Sequence, residues 1–245
     1  MAGTVRIFAI GDLHLPGGQD KPMDVFGQRW AGHPERIARS WRERVGPSDV
    51  VLMPGDLSWA MTLDQAQADL SYLGALPGEV LLVRGNHDYW WSAIGKVRKA
   101  LPATVRAIQN DHVPVAAIAV CGTRGWMLPG TDGFTAQDEK VYRREVERLR
   151  LSLDSARKAG LAPAIVMMHY PPALRNQAPT GFTELLEAYG VKLCVYGHLH
   201  GDAQRGALAG LVRGVYYRLV ACDAIGFAPT LVARVEGASV HVEPF

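Results

Sequence analysis

The sequence predicts an α/β fold on three observations. Short runs that are apolar on both faces recur at residues 5–10, 50–53 and 80–83, each followed within two residues by a glycine. Such runs suit strands buried inside a parallel sheet. Segments of helical periodicity separate them, and Asp56 and Asn86, each just past such a run, are 30 residues apart, about one βαβ unit. The alternation argues for a sheet built with right-handed crossovers.

In chain order, residues 34–45 place Ile37, Trp41 and Val45 at four-residue spacing, a helical stripe. Thr62-Leu63-Asp64-Gln65 has the form of a capping box ahead of Ala66, Leu70 and Leu73. Residues 104–108 and 113–121 are expected as strands with a break at Asn110-Asp111, and residues 122–137, rich in Gly, Thr and Asp, as a long loop. A loop of that length in a compact domain is often functional. A long helix is expected from about 138 to 158, with Tyr142, Val146, Leu149 and Leu153 on one face and a heavily charged, solvated face opposite. Residues 164–168 form the next strand, 182–189 a helix ended by Gly190, and 191–196 a further strand. Residues 216–220, 231–235 and 239–242 alternate like antiparallel strands joined by turns. No repeat or linker divides the chain, so residues 1–245 are expected to form a single domain.

Five short clusters of metal-type residues fall immediately after predicted strands. They read Gly11-Asp12-Leu13-His14, Gly55-Asp56, Gly85-Asn86-His87-Asp88, His169, and Gly197-His198-Leu199-His200. Ligands of open α/β sheets bind beyond the carboxyl ends of the strands, so these clusters are expected to gather on one rim. Setting His87 and Asp88 aside leaves Asp12, Asp56, Asn86, His14, His169, His198 and His200, enough to hold two ions if a carboxylate is shared. Imidazole with carboxylate and amide oxygen suits transition ions better than Ca or Mg, and no thiolate points to a structural zinc site. His33, His112 and His241 lie outside the clusters and are read as ordinary histidines.

The ordered series G-D-x-H, G-D, G-N-H-D, H, G-H-x-H resembles the calcineurin-like metallophosphoesterase superfamily. Residues 21–27 and Ala221-Cys222-Asp223 are further similar to uncharacterised bacterial members known only as predicted phosphohydrolases. The resemblance implies a four-layer α/β/β/α sandwich of two mixed β-sheets flanked by helices. It implies that Asp12, His14, Asp56 and His200 hold one metal, that Asp56, Asn86, His169 and His198 hold a second, and that Asp56 bridges. His87 would face the leaving group and Asp88 would orient it. The cofactors implied are two divalent transition ions, Mn or Fe foremost, with Zn, Co or Ni as alternatives.

The expected chemistry is in-line hydrolysis of a phosphodiester or phosphomonoester by a water activated between the ions, with His87 as general acid. Arg84, preceding the Gly85-Asn86-His87-Asp88 string, and Arg124 are candidates to grip phosphate. A similar Arg-Gly-Asn-His string in serine/threonine protein phosphatases supplies a phosphate contact, but the continuation Leu57-Ser58-Trp59 departs from that subtype. Trp59, Tyr89, Trp90, Trp91, Trp126 and Tyr170 fall near the rim. Core packing is the default for them; any that are exposed could stack on a base and favour a nucleotide substrate.

Composition narrows the alternatives. With 48% hydrophobic and 20% charged residues the chain is an ordinary globular sequence, and its net charge of +2 gives no general attraction to nucleic acid. A nuclease or nucleotide phosphodiesterase, a protein phosphatase and an inactive scaffold are therefore secondary readings. The scaffold is weakest, because every ligand position and the acid are filled. No apolar run reaches the roughly 18 residues of a membrane span, so no membrane partner is expected. The unpaired Cys121, Cys194 and Cys222 suit a reducing cytoplasm.

Overall fold

The computed structural model describes residues 3–18, 21, 23–175 and 179–244. Residue 22 of the family-like stretch 21–27 thus lies outside the described residues.

Among the described residues, two six-stranded mixed sheets form the centre of the fold. In the first, β1 (Val5–Ala9), β2 (Val50–Met53), β3 (Glu79–Leu82) and β4 (Val105–Ala107) run parallel. The chain end adds β11 (Thr230–Glu236) antiparallel to β1, and β12 (Ser239–Val242) antiparallel to β11. In the second, β6 (Ile118–Thr123), β7 (Ala162–Met168), β8 (Leu193–Tyr196) and β10 (Val215–Leu219) are parallel. Antiparallel edges β5 (His112–Val115) and β9 (Gly210–Val212) close that sheet.

The period-two alternation of the central strands decides the layering. Ile7, Val50, Leu52, Leu81 and Val83 meet Ile118, Val120, Ile165, Met167, Leu193 and Val195 between the sheets. The opposite face of the first sheet, with Phe8, Val51, Met53, Val80 and Leu82, packs on α1 (His33–Arg44) and α2 (Gln67–Gly74) through Ile37, Trp41, Leu70 and Leu73. The outer face of the second sheet packs on α4 (Ala136–Lys158) and α5 (Gly181–Tyr189) through Tyr142, Leu149, Leu153, Phe182 and Leu186. The short α3 (Ile94–Ala100) leads into β4. The fold is thus the helix–sheet–sheet–helix sandwich that the resemblance implied.

Three expectations for individual elements are corrected. Residues 113–121 are a hairpin and not one strand: the chain reverses at Ala116-Ala117, with Ala116 at φ 50° and Val115 opposite Ile118. The segment 216–220 is not part of an antiparallel tail: as β10 it lies parallel to β8, in the other sheet from β11 and β12. The capping box closes one residue early. Gln65 donates its amide to Thr62 Oγ1 (3.3 Å), but its side chain accepts from Met61, and regular helix starts only at Gln67.

The strands matter to the site because both sets of parallel strands end at the same edge. There the sheets join: the Gly11 amide donates to the Val220 carbonyl (2.7 Å), and the Cys222 amide donates to the Gly11 carbonyl (2.9 Å).

Candidate metal centre

Asp12 and His14 follow β1, Asp56 follows β2, and Asn86 and His87 follow β3. His169 follows β7, and His198 and His200 follow β8. All seven candidate ligands therefore meet at one rim. Asp12, His14 and His200 bring ligand atoms within 4.8 Å of one another, as do Asp12, Asp56 and His169. Asp12 belongs to both sets, and Asp56 Oδ2 lies 3.8 Å from His14 Nε2 and 3.6 Å from His169 Nε2.

The backbone is forced to make this cluster. Asp12, His14, Asp56 and His198 all have left-handed backbone, at φ 57°, 46°, 53° and 72°. Non-glycine residues rarely sit there, at a cost of order 1–3 kcal/mol each, and such strain concentrates at functional sites. The glycines in front allow close approach. A Cβ on Gly85 would sit 2.1 Å from Asp56 Oδ1, and one on Gly197 would sit 2.2 Å from Asp12 Oδ2.

The donor set fits a cation. His169 Nδ1 is held by the Pro54 carbonyl at 3.0 Å, which leaves its Nε2 lone pair facing inward. That Nε2 lies 2.5 Å from Asn86 Oδ1, the oxygen being assigned to the inner side. His198 Nδ1 lies 3.0 Å from the same oxygen and 3.2 Å from His169 Nε2. Burial pushes His169 down to about 3, and burial with His169 nearby does the same to His198, so both rings are neutral. A neutral ring that already donates from Nδ1 has no proton on Nε2. The His169 Nε2 lone pair and the Asn86 carbonyl oxygen therefore point together, an arrangement that a metal ion resolves. Asp12 Oδ2 and His14 Nδ1 are also buried without a hydrogen-bond partner.

Electrostatics agree. Burial, with Asp88 and Asp12 close by, raises the Asp56 carboxyl well above the usual range. Burial and the neighbouring His200 lower His14 well below its ordinary value. His200 goes the other way: burial opposes its charge, but hydrogen bonds to Asp12 and Asp223 outweigh it and push it up to about 10. Its proton stands where a cation would neutralise the same carboxylates.

Asp223, four residues past β10, enters the sequence pattern only within Ala221-Cys222-Asp223, which assigns it no role at the rim. It accepts from His200 Nδ1 (2.8 Å), Arg29 (2.5 Å) and Gln204 (2.8 Å). Its signal was available, since it follows a strand as the other acidic residues do. Trp59 stacks on His14, with centroids 4.8 Å apart and planes at 23°.

The orienting role expected of Asp88 does not match its bonds. Its carboxylate is fully buried and accepts from the amides of Gly85 (2.7 Å), Asp56 (3.0 Å), Leu57 (2.9 Å) and Ser58 (3.3 Å), and from the Trp90 indole (2.9 Å). His87 Nδ1 meanwhile has no partner. Asp88 pins the Asp56 turn to the Asn86 turn instead. The His87 ring sits 4.5 Å from Trp59 and lines a hollow of about 300 Å³ with Met23, Phe26, Arg29 and Trp30. Burial lowers its pKa, against the pull of Asp12.

Arg84 and Arg124 line a different cavity, which none of the seven candidate ligands touches. Of the rim aromatics, Trp90 and Trp91 belong to the core, Tyr170 is buried beside His198, and Tyr89 is exposed. His33 bonds the Leu13 and Trp30 carbonyls, and His112 bonds Ser155 Oγ. The three cysteines are buried.

The calcineurin-like phosphoesterase family profile matches residues 5–202. The gene 66 protein of Mycobacterium phage D29 is 38% identical over 85 residues, 34% of this chain and 40% of that protein, so the match spans less than half of that relative. Among solved structures, the chain resembles a protein of unknown function, AQ665, from Aquifex aeolicus, with TM-score 0.51, 15% identity, and 92% of this chain and 94% of that one covered. It also resembles phosphopantetheinyl hydrolase from Mycobacterium tuberculosis, with TM-score 0.50, 16% identity and 89% of each chain covered. At these identities the structural likeness speaks to fold alone.

Proposed function

We propose, from its membership of the calcineurin-like phosphoesterase family, that the chain is a metal-dependent phosphoester hydrolase. From that premise we propose that its rim holds two divalent transition ions and hydrolyses a phosphodiester or phosphomonoester, with His87 supplying the leaving-group proton. The observation that carries this reading is the convergence of the His169 Nε2 lone pair, His198 Nδ1 and Asn86 Oδ1 on one spot, with Asp12, His14, Asp56 and His200 gathered beside it.

Asp12, His14, Asp56 and His200 would hold one ion, and Asp56, Asn86, His169 and His198 the other. When bound, such ions lower the pKa of water and neutralise charge building on phosphoryl oxygens. The chain's own groups do the rest. Asp223 fixes the His200 ring, and the Pro54 carbonyl fixes His169. His87, half-buried at the mouth of the apolar hollow, is placed to give a proton to a leaving alkoxide. A bound phosphoryl anion favours its protonated form, offsetting the effect of burial. Trp59, Trp30 and Phe26 in that hollow favour a flat or apolar leaving group, so nucleotides belong among the substrates to be tried.

We also read residues 1–245 as one domain, supported by β11 pairing with β1, and as cytoplasmic, supported by three free buried cysteines.

The test is a panel of monoesters, diesters, cyclic nucleotides and short oligonucleotides with added Mn. Turnover of at least one ester class, lost on adding chelator, is expected. Turnover of none, with metal confirmed bound, would rule the reading out.

A further inference from the structure

Beside the rim lies the second cavity, of about 220 Å³, lined by Arg84, Arg124, Arg148, Glu145, Gln109 and Asn110 among others. Its charge is unbalanced. Glu145 is the one carboxylate in its lining, and it is already occupied: Oε2 accepts from Thr123 (2.6 Å) and Oε1 from Arg148 (2.7 Å) and Arg124 (3.3 Å). Three guanidinium groups thus face a single carboxylate, and Arg84 makes no hydrogen bond or ion pair with any described residue.

A second observation is independent of charge. Nε of Arg84 and Nε of Arg124 are both buried and have no acceptor. Buried donors are nearly always satisfied, and leaving one bare is costly. Both guanidinium groups line one cavity, and their terminal N–H groups, rather than the enclosed Nε atoms, are the donors that acceptor oxygens inside it would meet. Guanidinium forks match tetrahedral oxyanions, which they bind through two parallel bonds.

The cavity is also tied to the rim through the backbone. Arg84 stands two residues before Asn86, and the Arg124 carbonyl accepts the amides of His169 (3.1 Å) and Tyr170 (2.9 Å).

We propose that this arginine cavity is a second anion site, separate from the metal rim, that takes a phosphoryl group. Two sources share that chemistry: a second phosphoryl group carried by the substrate, and free inorganic phosphate. Only the first of these rests on the phosphoesterase reading.

The test titrates inorganic phosphate into the full-length protein by calorimetry, once with excess chelator and once with Mn. Chelator removes ions from the rim, so binding that persists reports the arginines. One phosphate is expected to bind under chelator. Arg148→Met, at a half-exposed position, should weaken it on the order of tenfold, the effect of losing a charge-assisted bond. Glu145→Gln should tighten it by removing the competing carboxylate. The opposite signs separate loss of the site from loss of folding. No phosphate binding under chelator, or an affinity that neither substitution moves, overturns the proposal.

Substrates matched except for a second phosphoryl group then assign the source. A KM at least tenfold lower with that group, abolished in Arg148→Met, places the substrate there; an unchanged KM beside phosphate binding under chelator assigns the site to free phosphate. The calorimetric arm needs no turnover, so its failure and failure of the phosphoesterase reading are told apart.

Discussion

His87 and Asp88 are neighbours in sequence with opposite consequences. Asp88 holds four backbone amides and an indole in a fully buried place, so Asp88→Asn turns one acceptor oxygen into a donor facing donors. That change should cost about 2–4 kcal/mol of stability, read by calorimetric unfolding, and should loosen metal binding because the Asp56 turn is released. His87 touches the apolar hollow and donates only its backbone amide, to Asp56 Oδ1 at 2.8 Å. His87→Ala should therefore keep full metal content while lowering kcat about 10²–10⁴-fold, the usual share of general-acid catalysis. Elemental analysis beside kinetics decides: an emptied metal site in His87→Ala would make it a ligand and not an acid. Asp223→Asn belongs to the same scale. It weakens the hold on His200, and outer partners of this kind typically tune metal affinity 10–100-fold, measurable by competition with a chelating dye.

At the level of elements, the turns after the strands do the assembling. Gly197→Ala puts a methyl 2.2 Å from Asp12 Oδ2, which belongs to the other sheet's first strand end, so the β1 and β8 turns must part. The expected result is substoichiometric metal with the fold retained, checked by elemental analysis and circular dichroism; full occupancy would show that the turns can give way. Strand ends were legible in the sequence because an apolar run stopped by Gly and a polar residue is a local signal. The clusters it marks do come together. Partner choice was not legible. Residues 216–220 alternate as any edge strand would, and nothing local says that they pair with β8 rather than with β11. The hairpin at Ala116 carries no Gly or Asn to announce its left-handed residue. The work of Asp88 was hidden for a similar reason. Its partners Asp56, Leu57 and Ser58 are some 30 residues away, and a sequence shows neighbours in the chain more readily than neighbours across a sheet.

For the molecule as a whole, the rim is a local instability that the metal is expected to offset. Left-handed backbone at Asp12, His14, Asp56 and His198, the buried Asp56 carboxyl and the facing acceptors of His169 and Asn86 all cost free energy in one place. An ion that binds only the folded chain adds RT ln(1 + [L]/Kd), about 2.7 kcal/mol at a hundredfold excess over Kd. For a chain of this size each kcal/mol moves Tm by roughly 2–4 °C, so saturating metal should raise Tm by about 5–10 °C. The ion should be Mn, Fe, Zn or a similar transition metal, because the donors are four imidazoles, two carboxylates and an amide. Chelator should lower Tm and abolish ester hydrolysis together, and stepwise return of metal should restore them in parallel, read by calorimetry and initial rates on one preparation. Ca and Mg should restore neither at equal concentration. Full hydrolysis in excess chelator would remove the metal from the chemistry. A Tm that ignores metal would show instead that the strained strand ends are stable unaided, and that the sheets rather than the ions hold the rim together.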